Sequence, residues 1–390
     1  MNKTEKNMQS REQIRVLHLI SSRGLYGAER IVINLTAAMN RSRYISHLAL
    51  LQSEKNPNME LVEAVREKSV QTHIIPCRRW LDGNALGQTR DLIRREGIDI
   101  VHCHEMKGRL YGLLCTRGTK ARTLATNHNW IRSDFLVTCF ELMDAFYIRF
   151  FPRIAAVSPE VKTLMQHYLI PENRISVIIN GIDMAEFRKN RTAGQRIRQE
   201  IGISPDAVLI GTIGRLSPEK GHRYFISAAA QIAPAFPQAY FLIIGDGPHR
   251  EMLKEYALSL GLGERMIFAG FRKDIAACYS ALDIFVLPSL LEGTPMALLE
   301  AMSAQVPVIA TRAGGVGRII SHGENGLLAC PGNAEELASA ITALLQNPAE
   351  ARRLSANAFL TVSEKYSGEK MAREYEKIFE NILGEKGAGK

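Results

Sequence analysis

The sequence of 390 residues lacks several features that would each place it in a particular class of protein. No apolar run reaches the roughly 18–20 residues that a membrane-spanning helix needs. The six cysteines are scattered and form no Cys-x-x-Cys pair, so we expect reduced thiols rather than a disulfide framework. The first 15 residues are polar, which predicts that no signal peptide is present and favours a cytoplasmic location.

Signatures of nucleic-acid binding are also missing, although the net charge is +9. Neither zinc-finger spacing nor an aromatic RNA-binding pattern occurs, so we expect no nucleic-acid partner. Residues 1–185 contain 26 Lys and Arg against 18 Asp and Glu, whereas residues 186–390 contain 23 against 22. The first half therefore either faces an anionic partner, such as acidic lipid or a phosphorylated substrate, or presents a solvated basic surface.

Strands that alternate with helices predict an α/β fold. Residues 15–20 form an apolar run typical of a buried strand, followed by a glycine-containing loop and an amphipathic helix. The same order restarts at residue 207. The pattern predicts two Rossmann-like domains with parallel sheets, at 1–185 and 186–365, and a C-terminal helix at 366–390. Such domains bind ligands outside the carboxyl ends of their strands, so two facing domains predict a central cleft.

The stretch SLLEGTPMALLEAM at residues 289–302 holds two carboxylates, Glu292 and Glu300. Thr294 is suited to the N-cap and Pro295 to the first position of a helix that extends to about Ala304. A helix N-terminus favours phosphate, and the two glutamates could accept hydrogen bonds from hydroxyls on either side of it. The alternative is that Glu300 only caps or pairs and that Glu292 is solvated.

Two cations stand in GRLSPEKG, after the first strand of the second domain. Arg215 and Lys220 flank a tight loop and could both reach a diphosphate, although ordinary surface basicity is the alternative. Gly245, in GDGP, follows another buried strand and by itself indicates only a tight turn.

Taken in order, VIINGID, GRLSPEKG, LIIGDGP, the Glu292-x7-Glu300 pair and AGG resemble the retaining glycosyltransferases of family 4, also called glycosyl transferases group 1, with the GT-B fold. The resemblance covers about residues 14–380. It implies a nucleotide-diphospho-sugar donor held mainly by the second domain and an acceptor held by the first. It also implies that the C-terminal helix crosses back to the first domain and that neither a metal nor another cofactor is needed.

The resemblance assigns roles to individual positions. Glu300 would hold the ribose hydroxyls, Glu292 would contact the donor sugar, and Arg215 and Lys220 would neutralise the leaving diphosphate. The other donor-side positions that it implies are Gly24 and Gly27 in a closing glycine loop, Gly245 in its turn, Phe271 beside the base, and the backbone of Gly293, Thr294 and Met296. His128 matches the histidine near the anomeric centre.

In this family, retention is ascribed to attack on the same face as the leaving phosphate, so Glu292 is not assigned as a nucleophile. Catalysis would then rest on His128, Glu292, Arg215 and Lys220, with fixed positive charge stabilising the leaving group. One position departs from the pattern, because Arg318 stands where the family often has a glutamate. No contact is inferred from that position.

The segment VHCHEMKG resembles a metal cluster, because His102, Cys103, His104 and Glu105 are consecutive. Alternate residues of a strand point to opposite faces, so His102 and His104 should share one face and Cys103 the other. No second pair of ligands stands nearby in sequence, and we therefore expect no metal site here. His104 and Lys107 are instead candidates for the acceptor side.

Residues 133–151 predict an apolar helix with a polar stripe at Thr138, Glu141 and Asp144. It is either a buried helix of the first domain or a helix that docks on the inner face of the membrane, beside a lipid-linked acceptor. The resemblance implies a hexosyltransferase, and the sequence permits a role in surface-polysaccharide, lipopolysaccharide or glycolipid assembly.

Two other classes compete with that prediction. A Rossmann oxidoreductase would need Gly-x-Gly-x-x-Gly after the first strand, which SSRGLYGAE lacks. A non-catalytic nucleotide-sugar-binding protein would keep the fold and lose the site, whereas Glu292, Glu300, Arg215 and Lys220 are all present.

Overall fold

A computed structural model of the chain describes residues 13–21, 27–53, 59–128 and 135–384. Its contacts divide the chain into two compact units. Unit 1 comprises residues 1–181 and 368–390, and unit 2 comprises residues 182–367. The junctions therefore lie after Gly181 and after Ser367, compared with the predicted junctions after residues 185 and 365.

Unit 1 is built on a parallel sheet with the strand order β3-β2-β1-β4-β5-β6-β7. Its strands are β1 (Ile14–Ile20), β2 (Tyr44–Gln52), β3 (Gln71–Pro76), β4 (Ile100–His104), β5 (Arg122–Asn127), β6 (Arg153–Ala156) and β7 (Ile175–Val177). Its helices are α1 (Gly27–Ala38), α2 (Met59–Glu67), α3 (Gly83–Arg95), α4 (Glu105–Cys115), α5 (Phe135–Ile148) and α6 (Pro159–His167), with one further helix at the end of the chain.

Unit 2 is built on a second parallel sheet, with the order β10-β9-β8-β11-β12-β13. Its strands are β8 (Val208–Ile213), β9 (Ala239–Ile244), β10 (Met266–Gly270), β11 (Ile284–Leu287), β12 (Val308–Thr311) and β13 (Leu327–Ala329). Its helices are α7 (Arg191–Glu200), α8 (His222–Ile232), α9 (Arg250–Ser259), α10 (Ile275–Ala281), α11 (Met296–Ser303), α12 (Val316–Ile319), α13 (Ala334–Gln346) and α14 (Pro348–Lys365). The predicted α/β class with two Rossmann-like domains is confirmed.

The strands are continuous apolar runs because helices cover both faces of each sheet. In β1, Leu17 and Leu19 belong to the hydrophobic cluster on one face, and Val16 belongs to the cluster on the other. Alternate side chains of a strand point to opposite faces, so burial on both faces requires apolar residues at successive positions.

The last helix, α15 (Gly368–Gly384), packs on the sheet of unit 1. Tyr375 and Phe379 are fully buried and join Val16 and Ile100 in one cluster. The amphipathic pattern near the end of the sequence therefore does form a helix, and its apolar face closes one side of the first sheet.

Helix α5 is only partly buried. Asp144 is buried and paired with Arg109 of α4, whereas Phe146 is 55% exposed and Phe150, just beyond the helix, is 60% exposed. The alternative that residues 133–151 form a wholly buried helix is therefore wrong, because one apolar face of the helix is exposed to solvent. Residues 133 and 134, and the side chains at predicted stripe positions 138 and 141, lie outside the described part of the chain. No helix among the described residues is long and apolar enough to span a bilayer.

Candidate active site

The strand order of unit 2 reverses between β8 and β11, which are neighbours in the sheet. Loops that leave such a pair of parallel strands diverge, and ligands of doubly wound folds bind in the crevice between them. Arg215 and Lys220 lie in the loop after β8, and Glu292 lies in the loop after β11. The structure thus places these three predicted residues on the two loops at the topological switch point.

Lys220 and Glu292 form an ion pair across this point. The Nζ atom of Lys220 lies 2.7 Å from Oε1 of Glu292, and the Ser289 hydroxyl donates to the same oxygen at 2.7 Å. The Glu292 side chain is only 6% exposed. Among the described residues, no donor contacts the second carboxylate oxygen. The carboxylate is therefore oriented by two donors on one oxygen and can still accept on the other.

Glycines let the neighbouring backbones reach this pair. A Cβ on Gly314, whose φ is +49°, would overlap the carbonyl oxygen of Glu292, and a Cβ on Gly315 would overlap that of Gly293. The Gly315 N–H donates to the Glu292 carbonyl at 3.2 Å. The AGG motif therefore holds the Glu292–Gly293 backbone in place. Gly245 has φ +137° and crosses the Gly214 backbone just as closely.

Arg215 is held loosely on the same loop as Lys220. Its side chain is 69% exposed and lies 3.3 Å from Glu219 Oε1, while Ser217 donates to that oxygen at 2.5 Å. An exposed ion pair of this kind contributes little to stability, so the guanidinium can leave it at low cost. The described contacts do not join Arg215 directly to Glu292.

Helix α11 begins at Met296, and Pro295 occupies the N-cap position without a side-chain hydrogen bond. The prediction that Thr294 is the N-cap is therefore wrong by one residue. Pro295 has φ −76° and ψ 85°, so it is the last residue outside the helical region, and Thr294 lies a residue too early to cap it.

Glu300 lies inside α11 and is buried. The Tyr279 hydroxyl of α10 lies 2.9 Å from its Oε2 and 3.0 Å from the Ala297 carbonyl. Tyr279 is fully buried and was not identified from the sequence. Glu300 therefore has a fixed partner in Tyr279. The alternative that Glu300 only caps or pairs within the protein thus holds in part, since this pairing exists.

Phe271 is exposed immediately after β10. The neighbouring Arg272 is tied down, because its guanidinium lies 2.7 Å from Asp274 and 2.8 Å from Glu200. These hydrogen bonds raise the pKa of Arg272 above its ordinary value, despite an opposing effect of burial. Of this pair, only Phe271 has a largely exposed side chain.

The sheet of unit 1 also reverses its order, between β1 and β4, and histidines cluster there. His104 Nδ1 lies 3.1 Å from His128 Nε2, and His104 Nε2 lies 3.4 Å from His18 Nδ1. Burial, together with the charge of Arg109, lowers the pKa of His128 to about 3. His128 is therefore a neutral imidazole at physiological pH, able to donate or accept a hydrogen bond.

The acceptor-side candidates differ in accessibility. The prediction that His104 lines an acceptor surface is wrong, because its side chain is completely buried. Both of its ring nitrogens contact neighbouring imidazoles, those of His18 and His128. Lys107 is half-buried, with Nζ 3.4 Å from the Arg79 carbonyl and 6.0 Å from the centre of the Trp80 ring. Gly27 is the first residue of α1, and Gly24 lies outside the described residues.

His102 and His104 share a face of β4, as predicted, with ring centroids 4.1 Å apart. Cys103 belongs to the cluster on the opposite face. His18, which was not identified from the sequence, pairs in register with His102 from the neighbouring strand. A histidine inside the apolar run IRVLHLI was the available signal.

Two family models match the chain. The model for glycosyl transferases group 1 matches residues 194–361, and the model for glycosyltransferase family 4 matches residues 26–186. Together they cover most of both units.

The chain belongs to glycosyltransferase family 4, also called glycosyl transferases group 1.

The relatives of this glycosyltransferase have names that specify different activities. It is 26% identical over 330 residues to the UDP-Gal:alpha-D-GlcNAc-diphosphoundecaprenol alpha-1,3-galactosyltransferase of Escherichia coli, covering 81% of this chain and 84% of the relative. It is 27% identical over 312 residues to N-acetyl-alpha-D-glucosaminyl L-malate synthase of Bacillus anthracis, covering 77% and 79%. Anabaena HepE in complex with UDP superposes with a TM-score of 0.79 at 21% identity, covering 95% of this chain and all of HepE, which shows the GT-B fold.

Proposed function

We propose that this glycosyltransferase moves a hexose from a nucleoside-diphosphate sugar to an acceptor hydroxyl, with retention of the anomeric configuration. The observation that carries the proposal is the Lys220–Glu292 ion pair at the switch point of unit 2. It joins a cation suited to diphosphate to a carboxylate suited to sugar hydroxyls. The names of the E. coli relative and the HepE complex include UDP, which makes a uridine nucleotide the first donor to test.

Departure of the leaving group is the reaction step that this site supports best. Departure of a nucleoside diphosphate builds negative charge on its terminal phosphate, and fixed cations lower the barrier to that departure. Lys220 is anchored by Glu292, so it is held in place before the donor binds. Arg215 is more exposed and more weakly held, so it can turn towards the diphosphate.

Hydroxyl recognition falls to the two glutamates. Glu292 still offers a carboxylate oxygen to the donor sugar, and the backbone N–H groups of Gly293, Thr294 and Met296, before and at the start of α11, can meet sugar and phosphate. Glu300 is oriented by Tyr279, which reduces the side-chain entropy that binding ribose would otherwise cost. Exposed Phe271 offers a flat surface for the base.

Retention follows, in this proposal, from attack on the face that the leaving phosphate vacates. No carboxylate nucleophile is assigned, because same-face attack assisted by the leaving phosphate does not require one. The part of His128 at the anomeric centre stays a prediction, as does independence from metal in the transfer step. The pKa of about 3 indicates that His128 acts as a neutral imidazole.

The acceptor that we propose is lipid-linked, as in the name of the E. coli relative. Helix α5 and the residues after it expose an apolar stripe, here called the α5 stripe, formed by Leu142, Met143, Phe146 and Phe150. Exposed Arg149 and Arg174 lie beside it, with Arg174 donating to the Arg149 carbonyl at 3.1 Å. Apolar residues flanked by arginines match the interface of an anionic bilayer, as does the basic first half of the sequence.

Thermal unfolding with UDP-, GDP-, ADP- and CMP-sugars tests the donor site. One nucleotide class should raise the midpoint, and the parent nucleoside diphosphate should do so as well. No stabilisation by any of them would contradict the donor-site proposal. Stabilisation without transfer to any polyprenyl-linked or soluble acceptor would favour the non-catalytic sugar-nucleotide-binding protein. Where transfer occurs, proton NMR of the new anomeric centre reports retention or inversion.

A further inference from the structure

Three histidines meet at the carboxyl end of the unit 1 sheet. His18 of β1 pairs in register with His102 of β4, and His104 lies two residues further along β4 on the same face. One ring nitrogen from each lies within 4.8 Å of the nitrogens of the other two. All three side chains are completely buried.

One nitrogen–nitrogen distance in this cluster is that of two ligands around one ion. His18 Nδ1 and His104 Nε2 lie 3.4 Å apart. Two imidazoles bound tetrahedrally at the usual zinc–nitrogen distance hold their nitrogens about 3.3 Å apart. His102 Nδ1 is buried and has no hydrogen-bond partner among the described residues, so it is the nitrogen of this side chain that is available to an ion. A buried imidazole nitrogen without a partner is costly unless a ligand is bound to it.

The outer ring nitrogens of two of these histidines are already engaged. His102 Nε2 lies 2.6 Å from the Thr126 hydroxyl, which lies 3.0 Å from the Tyr375 hydroxyl. His104 Nδ1 lies 3.1 Å from His128 Nε2. Metal-binding histidines usually donate their second N–H to such a partner, which fixes the tautomer and turns the other nitrogen towards the ion.

The protonation state also suits metal binding. Burial lowers the pKa of His18 to about 3 and holds the pKa values of His102 and His104 well below 6.5. The imidazoles are therefore neutral, which is the form that binds metal. The charge of Arg109 contributes to the lowered pKa of His104, and Arg109 itself is paired with Asp144.

We propose that His18, His102 and His104 form a binding site for one divalent first-row transition ion of the zinc class. Neutral imidazole favours such ions over Mg²⁺ or Ca²⁺, which prefer oxygen ligands. With all three ligands buried, the ion ties β1 to β4 and so stabilises unit 1. The residues proposed to bind the diphosphate and the ribose lie in unit 2, whereas His104 contacts His128, the residue predicted at the anomeric centre.

Cobalt provides a direct probe of this site. The full chain, purified without a histidine tag and stripped with a chelator, is titrated with Co²⁺ in visible light. We expect the d–d bands of four-coordinate cobalt, saturation at one ion per chain, and loss of the bands when Zn²⁺ is added. Bound Zn²⁺ should also raise the midpoint of thermal unfolding.

Variants then locate the ion. His18→Asn and His104→Gln should abolish the bands, and Thr126→Val, which removes only the outer partner of His102, should weaken affinity by about 10- to 100-fold. His47 and His73 provide a matched control, because His47 Nδ1 lies 3.3 Å from His73 Nε2 in a pair for which the described residues supply no third ligand. His47→Gln and His73→Gln should bind cobalt like the wild type.

Two results would overturn the proposal. One is the absence of cobalt bands in the stripped wild type at ion concentrations up to a millimolar. The other is cobalt binding that Thr126→Val leaves unchanged while the His47 or His73 variants lose it. Because the wild type, Thr126→Val and the His47 and His73 variants suffice for this decision, it stands even if His18→Asn or His104→Gln fails to fold.

Discussion

Lys220 Nζ lies 2.7 Å from Glu292 Oε1, although the two residues are 72 positions apart in the chain. The contact exists because β8 and β11 are neighbours in the sheet, so that their following loops leave the same edge. It links the residue proposed to meet the diphosphate to the residue proposed to meet the sugar.

Lys220→Ala should lower kcat by about 100- to 1,000-fold, since it removes one preorganised cation from the leaving group. Steady-state kinetics with the donor identified by thermal unfolding measures the effect. Lys254→Ala is the matched control, because Lys254 also pairs with a glutamate, Glu251 at 3.1 Å, but on helix α9. Turnover that is equal in the two variants would remove Lys220 from the leaving-group role.

Tyr279→Phe should weaken binding of the nucleoside diphosphate and lower the free energy of unfolding by about 1–3 kcal/mol. The hydroxyl contacts Oε2 of buried Glu300, and its loss leaves that carboxylate with one donor fewer. Urea unfolding measures stability and calorimetry measures nucleotide affinity. Glu300→Ala should weaken affinity further; nucleotide binding that Glu300→Ala leaves intact would disprove the ribose role.

Stability should depend on pH through His222, at the start of α8. Burial, and then the charge of Lys220, lowers its folded-state pKa to about 4, against an opposing effect of Glu219. The unfolded chain takes up this proton near pH 6.5, so the contribution is present above that pH and is lost as pH falls towards 4.

Between pH 8 and pH 5, this loss amounts to about 2 kcal/mol. His222→Gln should flatten the pH dependence of the unfolding free energy by that amount, whereas His167→Gln, at an exposed position, should leave it as in the wild type. Parallel pH profiles for the wild type and His222→Gln would contradict the prediction. The comparison uses the slope, so any constant destabilisation by either substitution cancels.

Replacing both aromatic residues of the α5 stripe, Phe146→Ser with Phe150→Ser, should reduce binding to vesicles containing anionic lipid by at least about 10-fold. Flotation with and without phosphatidylglycerol measures this. Leu258→Ser is the control, because Leu258 is as exposed but lies on α9 of unit 2. Equal flotation of the double variant and the control would exclude membrane docking by the α5 stripe.

The order of strands and helices was readable from the sequence because burial on both faces of a parallel sheet requires continuous apolar runs. The order of strand, loop and helix was predicted to restart at residue 207, and β8 occupies Val208–Ile213. The candidate donor-binding residues could be predicted in the same way, because Glu292, Arg215 and Lys220 lie in the loops that follow strands. The N-cap of α11 was misplaced because Thr294 is a good capping residue by type, whereas the backbone at Pro295 decides the boundary.

By itself, then, the sequence determined the fold class, the residue types at the strand ends and the family, since these depend on local pattern and motif order. Only the tertiary structure decided which distant side chains meet. Strand order brings His18 beside His102, and helix packing sets Tyr279 against Glu300. Neither pairing has a signature in sequence spacing, because contacts between neighbouring parallel strands or packed helices depend on the whole crossover that separates them.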